Sequence, residues 1–579
     1  MTEQEKQLQI RIRELEKEVA RLQTEIKKNS QTQYGLRWMD VPEAFEAESV
    51  NAIPILEEVR EKSISNNDGK PTHILIEGDN FHALTCLNYT HKGQIDVIYI
   101  DPPYNTGSDG FVYKDKRVLD KFPDGTTVPT DHPLRHSYWL SFMHKRLELA
   151  KNLLSDRGVI FISIDDNEQA NLKLLCDKVF GEENFVANII RRNKAGAGHD
   201  AREISIEYDY MMLYSKNKKH TTFNKDKVDV ENDVKYKLSD KYVDYRGKYY
   251  LRDLDYKGSY SESLDYPINL PNGKIIYSGG KHGKPNTWRW SKEKFQWGLD
   301  NDFIVIDEKK EKIYIKQYQF VDNENNQRQR VIPFRADVSY LNSEGSVEMN
   351  EIIKQTIFSY PKPTSLIEYA EKLASSPSSI ILDFFAGSGT TLHATMKLNE
   401  EDGGHRQCIL VQQNENNICE AVTYERNRRV MQGYTNAKGE QVAGLGNSMK
   451  YYKTAFVGKN TSRHATDSDR VELSLKAGYL LALGENTLEE IQTTKSYQIF
   501  TDKQGKYTAV YFTGNLSDFA DFVNTIETIQ KEKEHPQIAV YIFCWGSVDI
   551  YENEFDNLSG ITLKPIPQPI LDIYKSINA

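Results

Sequence analysis

Hydrophobic positions along the chain fall into distinct textures. Leu8, Ile12, Leu15, Val19, Leu22 and Ile26 are spaced 4-3-4-3-4, with Arg11, Glu14, Lys17, Glu18, Arg21 and Glu25 between them. That is the a/d seam of about three heptads, and it predicts a helix over residues 1–30. The helix is either a marginal coiled coil or an amphipathic helix lying on its own domain, and Ser30–Gln33 forms a polar break after it. From residue 72 onward, short apolar runs alternate with helical stretches, the signature of an α/β sheet. Strands are predicted at His73–Glu77, Ile95–Ile100, Gly158–Ile164, Tyr210–Tyr214, Ser379–Asp383 and Cys408–Gln412. Helices are predicted at Tyr138–Leu154 and Asp166–Phe180. The near-continuous Val/Ile/Leu content of the strands predicts burial on both faces, as in a parallel sheet. After Tyr451, β-like runs (Tyr507–Phe512, Ile538–Phe543) alternate with helical ones without any constellation of chemical groups.

Composition narrows the picture. The 579 residues are 39% apolar and 27% charged, which suits a folded chain of several domains. A net charge of -10 excludes a uniformly basic nucleic-acid coat, but not a local basic surface. Residues 191–300 hold 22 Lys+Arg against 16 Asp+Glu, a net +6, so the remainder of the chain carries a net -16. The same stretch has nine tyrosines between Tyr236 and Tyr277, followed by Trp288, Trp290 and Trp297. A basic, aromatic-rich insertion reads as a nucleic-acid-binding module; a Tyr-rich β-domain with a solvated surface is the alternative. Cys86, Cys176, Cys408, Cys419 and Cys544 are scattered without a close pair, which argues against a structural metal or a disulfide framework and fits the cytoplasm. No signal peptide or bilayer-spanning run is expected.

Two motifs carry chemistry. Asp101-Pro102-Pro103-Tyr104 follows the buried strand IDVIYI directly, at the kind of strand end where open α/β sheets bind ligands. Asp101 and the Pro102 carbonyl can each accept a hydrogen bond from the amine of a flat ligand, and Tyr104 can stack on its ring. A helix-capping Asp in a plain loop is the alternative. The second motif, Asp383-Phe384-Phe385-Ala386-Gly387-Ser388-Gly389-Thr390-Thr391, lies between a strand and a helix. Gly387 and Gly389 allow a tight turn and close approach of a ligand to the backbone. The third glycine of a dinucleotide fingerprint is replaced by Leu392, which weakens a nicotinamide reading, and no P-loop is present.

DPPY and DFFAGSGTT together resemble motifs IV and I of the amino-methylating DNA methyltransferases that use S-adenosylmethionine. DPPY precedes the glycine loop by 282 residues, an order that resembles the β class. GDNFHAL (Gly78–Leu84), WLSFMHKRLELAKNLL and GVIFISIDDNE (Trp139–Glu168), EYDYMMLYSKN (Glu207–Asn217) and YPKPTSLI (Tyr360–Ile367) match in register. DPPYNTG with SDGFVYKD, and SIDDNE with FGEENF, resemble in particular the modification subunits of type III restriction–modification systems. The resemblance covers roughly residues 30 to 425.

The resemblance implies a circularly permuted, Rossmann-like S-adenosylmethionine-dependent methyltransferase core. Its catalytic half would span residues 31–194 and its cofactor half 351–450. A target-recognition domain is then expected at 195–350, apart from a core strand near 207–216, and a small α+β domain, partner-binding or otherwise, at 451–579. Asp101, Pro102, Pro103 and Tyr104 become the catalytic residues. Asp383, Phe385, Gly387, Ser388, Gly389 and Thr390 become cofactor residues, with Lys362, Pro363 and Thr364 flanking the methionine end. Asp79 is placed near the cofactor's adenine amine and Glu415 at its ribose, with Gln412 as the alternative; both acids also suit plain turns or caps. The implied activity is methylation of adenine N6 in flipped-out bases of double-stranded DNA, without a metal. The implied partners are DNA, a second copy of the chain and a helicase–nuclease restriction subunit, and no membrane. Cytosine-N4 methylation, an orphan or phage-borne enzyme, and a non-catalytic recognition scaffold are the rival readings.

Overall fold

The computed structural model describes residues 36–40, 52–66, 68–107, 115–122, 125–129, 132–196, 204–227, 234–327, 331–353 and 358–577. The heptad segment Leu8–Ile26 lies outside them, as do residues 108–114 of the SDGFVYKD stretch. The chain divides into two compact units, one drawn from residues up to 222 and from 336 onward, the other from 223–335.

In the first unit the elements before residue 223 are β1 (Ile53–Glu58), β2 (Thr72–Glu77), α1 (Asn80–Thr90), β3 (Ile95–Ile100), α2 (Ser137–Leu153), β4 (Leu154–Ile164), α3 (Gln169–Phe180), β5 (Phe185–Arg192) and β6 (Tyr208–Ser215). After residue 335 come β7 (Asp337–Ser339), α4 (Asn342–Ile353), α5 (Thr364–Ala374), β8 (Ile380–Asp383), α6 (Thr390–Asp402), β9 (Gln407–Gln412), α7 (Glu425–Gln432) and β10 (Ser448–Val457). The strands form one ten-stranded sheet in the order β1-β10-β2-β9-β8-β3-β4-β6-β5-β7. Its centre, from β10 to β4, is parallel throughout. The apolar runs that predicted these strands account for this: Ile74, Leu75, Ile76, Val97, Ile98, Ile381, Leu382, Ile409 and Leu410 are fully buried.

The Tyr210–Tyr214 run departs from the expected parallel arrangement, because β6 lies antiparallel to both β4 and β5. No helical crossover is described between Arg192 and Tyr208, and a parallel return needs one. The Asp166–Phe180 helix starts later than expected, at Gln169, because the Asp165 carboxylate accepts the Asn167 amide at 3.0 Å and holds a turn ahead of it.

From β3 the chain crosses through α2 to β4 on one side, and from β8 through α6 to β9 on the other. The carboxyl ends of β3 and β8 therefore meet at a reversal of winding, where α/β sheets bind ligands.

Two expected boundaries shift. The insertion that separates as a compact unit is 223–335: β6 is the core strand expected near 207–216, and β7 and α4 also belong to the sheet unit. Residue 451 is no boundary, since β10 is paired between β1 and β2. The C-terminal residues add a five-stranded sheet of Glu489–Thr493, Tyr497–Thr501, Lys506–Tyr511, Gln537–Phe543 and Ile561–Ile566. This region shares a core with the ten-stranded sheet and its helices: Ile570, Leu571 and Tyr574 of the terminal helix sit in one cluster with Leu84, Cys86 and Leu87 of α1.

The 223–335 unit holds a three-stranded antiparallel sheet (Ile304–Asp307, Lys312–Tyr318, Tyr249–Asp253) over its own core. Trp288, Trp290, Tyr266 and Tyr318 are buried in that core, so much of the aromatic content is packing. Other rings stay at the surface beneath cations, with Arg289 5.0 Å from the Tyr256 ring centre and Lys284 5.8 Å from that of Tyr260. All five cysteines are free thiols. Among the described residues no helix is long and apolar enough to cross a membrane.

Leu571 is fully buried against α1. Leu571→Ala should therefore destabilise the sheet unit by roughly 2–5 kcal/mol, read as a lowered urea midpoint of its unfolding. An unchanged midpoint would separate the terminal helix from that core.

Candidate active site

A cavity of about 460 Å³ opens at the carboxyl ends of β2, β3, β8 and β9. Of the residues singled out from sequence, Asp79, Asp101, Pro103, Tyr104, Lys362, Asp383, Phe385, Gly387, Ser388, Thr390 and Glu415 line it, and so does Gln412. Pairing of β3 with β8 brings together two motifs that are far apart in the chain.

Asp101 is clamped from two sides. The Tyr104 hydroxyl donates to its Oδ1 at 2.8 Å, and the Lys362 ammonium donates to Oδ2 at 2.5 Å and to the Tyr104 oxygen at 3.1 Å. Burial and the neighbouring Asp101 charge push the Tyr104 phenol well above its ordinary range, so it stays a neutral donor. Lys362, expected at the methionine end of a cofactor, thus ties the segment that follows the insertion to Asp101.

The tetrapeptide is held from behind. Trp139 on α2, fully buried, donates its indole N–H to the Pro103 carbonyl at 2.7 Å. Just beyond, Asn105 adopts a positive φ of 60° and donates its side-chain amide to Glu168 Oε1 at 2.6 Å. Glu168 is itself buried and also meets His136 Nδ1 at 2.6 Å, a contact that raises the imidazole's proton affinity. Asp115 accepts from the Asn105 amide, the Thr106 hydroxyl and the Gly107 amide.

The glycine loop is built by the same economy of local bonds. Asp383, buried, accepts the Thr391 hydroxyl at 2.6 Å and the Phe385 amide at 3.0 Å, yet burial pushes its carboxyl up to about 7. Gly387 has φ 52°, donates its amide to Gln412 Oε1 at 2.7 Å, and turns the position of its missing Cβ toward Phe358 at 3.2 Å. A side chain there is strained by the backbone alone. Behind the loop, the buried Arg426 donates to Ser388 and Thr390 and holds both hydroxyls.

Other expected site residues lie off the wall. Pro102 is buried, like Pro103, but is not among the residues that line the cavity. Gly389 is also off the wall: a Cβ on it would meet Asn427 Nδ2 at 2.4 Å, so its role is close packing against the following helical segment. Pro363 caps α5, and Thr364 spends its hydroxyl on Glu348 at 2.8 Å, away from the cavity. Asp79 is at once a cap and a wall residue, since it accepts the Phe81 amide at 2.8 Å at the start of α1. Glu415 is exposed, where the chain leaves β9.

Sequence reasoning missed the arginines. Arg146, fully buried, reaches Asn80 and Asp79, while Asn80 donates to the Phe384 carbonyl at 3.0 Å and joins α1 to the glycine loop. Arg191 and Asp209 form a buried pair on the wall between β5 and β6. The available signal was Asp209 inside an otherwise apolar and aromatic strand pattern; β5 ends in two arginines, and its sequence does not single out Arg191.

A sheet of this topology, with an acid at the end of each of two adjacent parallel strands and a glycine turn after one of them, defines a Rossmann-like S-adenosylmethionine-dependent methyltransferase core. The DNA methylase family model for N6 and N4 amino-methylation matches residues 95–431, and the chain belongs to that family. It is similar to the EcoPI Mod subunit of a type III restriction–modification enzyme from Escherichia phage P1, 32% identical over 67% of this chain and 64% of that protein. It also resembles the StyLTI Mod subunit from Salmonella typhimurium, 35% identical over 62% of this chain and 54% of that one. A third relative is the type II methyltransferase M.KpnI from Klebsiella pneumoniae, 32% identical over 68% of this chain and 93% of that enzyme. The chain therefore spans less than two thirds of the two Mod subunits' own length.

The Asp383 carboxyl, raised to about 7 from 3.8, keeps a proton in the folded chain that the unfolded chain releases near pH 4. Its contribution to stability therefore falls as pH rises from about 4 to about 7. Asp383→Asn should gain stability relative to the parent between pH 5 and pH 8, measured by urea unfolding without added ligand. An equal difference at both pH values would show that this carboxyl does not titrate there.

Proposed function

We propose that this protein transfers a methyl group from S-adenosylmethionine to the N6 amine of a flipped-out adenine in double-stranded DNA, as the modification and recognition subunit of a type III restriction–modification system. The observation that carries the reading is the single cavity in which Asp101 and Tyr104 face the Asp383 glycine loop across two adjacent parallel strands.

The residues present suit the cofactor. Asp79, Asp101 and Asp383 line one cavity, and a ligand with an ammonium and a sulfonium complements that negative set. The positive φ of Gly387 leaves backbone open to close approach. When bound, S-adenosylmethionine supplies a methyl on a positively charged sulfur, already a good leaving group. Asp101 accepts a hydrogen bond from the adenine amine, which favours a lone pair localised on nitrogen. Asp101 would be placed to take the proton that the amine gives up on methylation. Tyr104 presents its ring to the base, and Lys362 keeps the carboxylate oriented. Holding amine and methyl in line accounts for up to ~7–11 kcal/mol of barrier. The base reaches this cavity only by leaving the duplex.

The names of the EcoPI and StyLTI relatives support a type III role, and with it a helicase–nuclease restriction subunit as partner. M.KpnI, matched over 93% of its length, favours a second reading as a methyltransferase that works without that partner. The basic, cation–aromatic surface of the 223–335 unit supports sequence recognition there. We further propose a homodimer, in which one copy reads sequence while the other carries out transfer.

Long-read sequencing of DNA from a host expressing the protein should show N6-methyladenine at one recurrent sequence. N4-methylcytosine instead would overturn the base assignment. Asp101→Ala should lower methyl transfer roughly 10²–10⁴-fold while calorimetry still shows cofactor binding; near-normal turnover would remove Asp101 from the chemistry. Exchanging residues 223–335 with those of a relative should change the methylated sequence and keep the base. An active hybrid that still marks the original sequence would place recognition elsewhere. Light scattering of the full chain should give two copies, and a monomer both free and on DNA would sink the dimer.

A further inference from the structure

The cavity wall beside the tetrapeptide carries a charged pair that the reaction as described leaves unused. Arg191 on β5 and Asp209 on β6 are direct cross-strand neighbours, 1% and 4% exposed. Arg191 Nε donates to Asp209 Oδ1 at 2.6 Å, and Nη2 donates to Asp209 Oδ2 and to Asn342 Oδ1, the latter at 3.0 Å. Nη1 is equally buried and has no hydrogen-bond partner among the described residues. A buried ion pair is a poor source of stability compared with an apolar pair of the same volume. Leaving one of its N–H groups buried and unmatched adds a further cost. Such an arrangement makes sense where a ligand completes the set.

The chemistry of the wall says which part of a ligand that is. Arg191, Asp209 and Asn342 line the same cavity as Asp101, Tyr104 and Tyr99. Once the exocyclic amine of adenine is given to Asp101, the base presents N1, N3 and N7, all of them acceptors, N9 being bound to the sugar. The carboxylates Asp101, Asp165 and Asp209 on this wall cannot donate to them when ionised. Tyr104 spends its hydroxyl on Asp101, Tyr99 pairs with Ser163 at 2.9 Å, and the Lys362 ammonium is engaged by Asp101 and Tyr104. Arg117, Asn193 and the exposed Lys194 also line the cavity, but Arg191 is the guanidinium held in place by a buried carboxylate beside the tetrapeptide. A guanidinium is donor-only and planar, and this one has its plane fixed by two partners.

We propose that Arg191 is a base-binding residue, donating from Nη1 to a ring nitrogen of the extrahelical adenine, with Asp209 and Asn342 as the positioning residues that fix its plane. The inference rests on the adenine-methylation reading. The contact anchors the ring edge while Asp101 holds the amine, so that two fixed points set the base plane. It also offsets part of the stacking lost when the base leaves the duplex.

The test pairs a protein change with a base change. Arg191→Lys keeps a cation for Asp209 but, once that pair is made, cannot present a second directed N–H. Duplexes carrying adenine, 1-deazaadenine, 3-deazaadenine or 7-deazaadenine at the methylated position are compared for kcat/KM with the full chain and with this variant. One analogue should lose roughly 10–100-fold with the parent protein and little with Arg191→Lys, because the contact it removes is already gone. On ordinary adenine the variant itself should lose a similar factor. Arg191→Met combined with Asp209→Leu, which leaves no buried charge, should show the same loss of discrimination and so serves if the lysine variant folds poorly. If every analogue keeps its full penalty in both variants, Arg191 does not touch the ring and the proposal is overturned. Failure of the parent protein to methylate ordinary adenine would instead overturn the functional reading beneath it.

Discussion

Negative charge converging on one cavity is the constraint around which this site is arranged. Asp79, Asp101 and Asp383 follow or end three parallel strands whose carboxyl ends face the same space. Carboxylates so placed repel one another, and the neighbouring Asp101 charge is among the influences that raise Asp383. Each acid is met by a different device. Asp101 has the Lys362 ammonium in direct contact, Asp79 has a helix N-terminus and Arg146, and Asp383 is bonded to a hydroxyl and an amide, with the Lys362 charge acting on it from further off. The least compensated acid is therefore the one at the head of the glycine loop. On the proposed reading, a cation entering the cavity gains most there.

The same constraint explains why two distant pieces of chain must close on each other. Asp101 belongs to the N-terminal piece, and the lysine that balances it arrives from beyond the 223–335 insertion. Parallel pairing of β3 with β8 puts them side by side and does not depend on the order in which the pieces are synthesised. The insertion leaves after β6 and returns before β7, toward the sheet edge away from the β3–β8 junction, so the intervening residues need not disturb the strands that carry the acids. Permutation is tolerated because the sheet holds the site by adjacency and not by sequence order.

What could be read from sequence was what is local. The apolar runs before Asp101 and Asp383 located both strands to within a residue, since two-sided burial leaves an unbroken Val/Ile/Leu signature. Glycines at Gly387 and Gly389 were equally visible, but not their division of labour: one faces the cavity and the other packs against Asn427. Asp79 showed the same ambiguity, because a capping acid and a wall acid look alike in sequence and here are one residue. The antiparallel turn of β6 was hidden because strand direction depends on a connection, not on the strand's own residues. The partners of Arg146, Arg191 and Arg426 lie across strands and helices, and side-chain pairing at such separations leaves no periodic trace.

The C-terminal region was the least legible, and its place in the fold follows from one helix. The first turn of α1 supplies Asn80, and its cap supplies Asp79, to the cavity. Its body supplies Leu84, Cys86 and Leu87 to a core completed by Ile570, Leu571 and Tyr574 of the terminal helix. Close-packed interiors transmit displacement instead of absorbing it. A shift of the terminal helix would therefore be carried along α1 to Asn80, whose amide holds the Phe384 carbonyl of the glycine loop, and to Arg146 beside it. A region in which the sequence showed no constellation of chemical groups is thus coupled by packing to Asp79 and to the glycine loop.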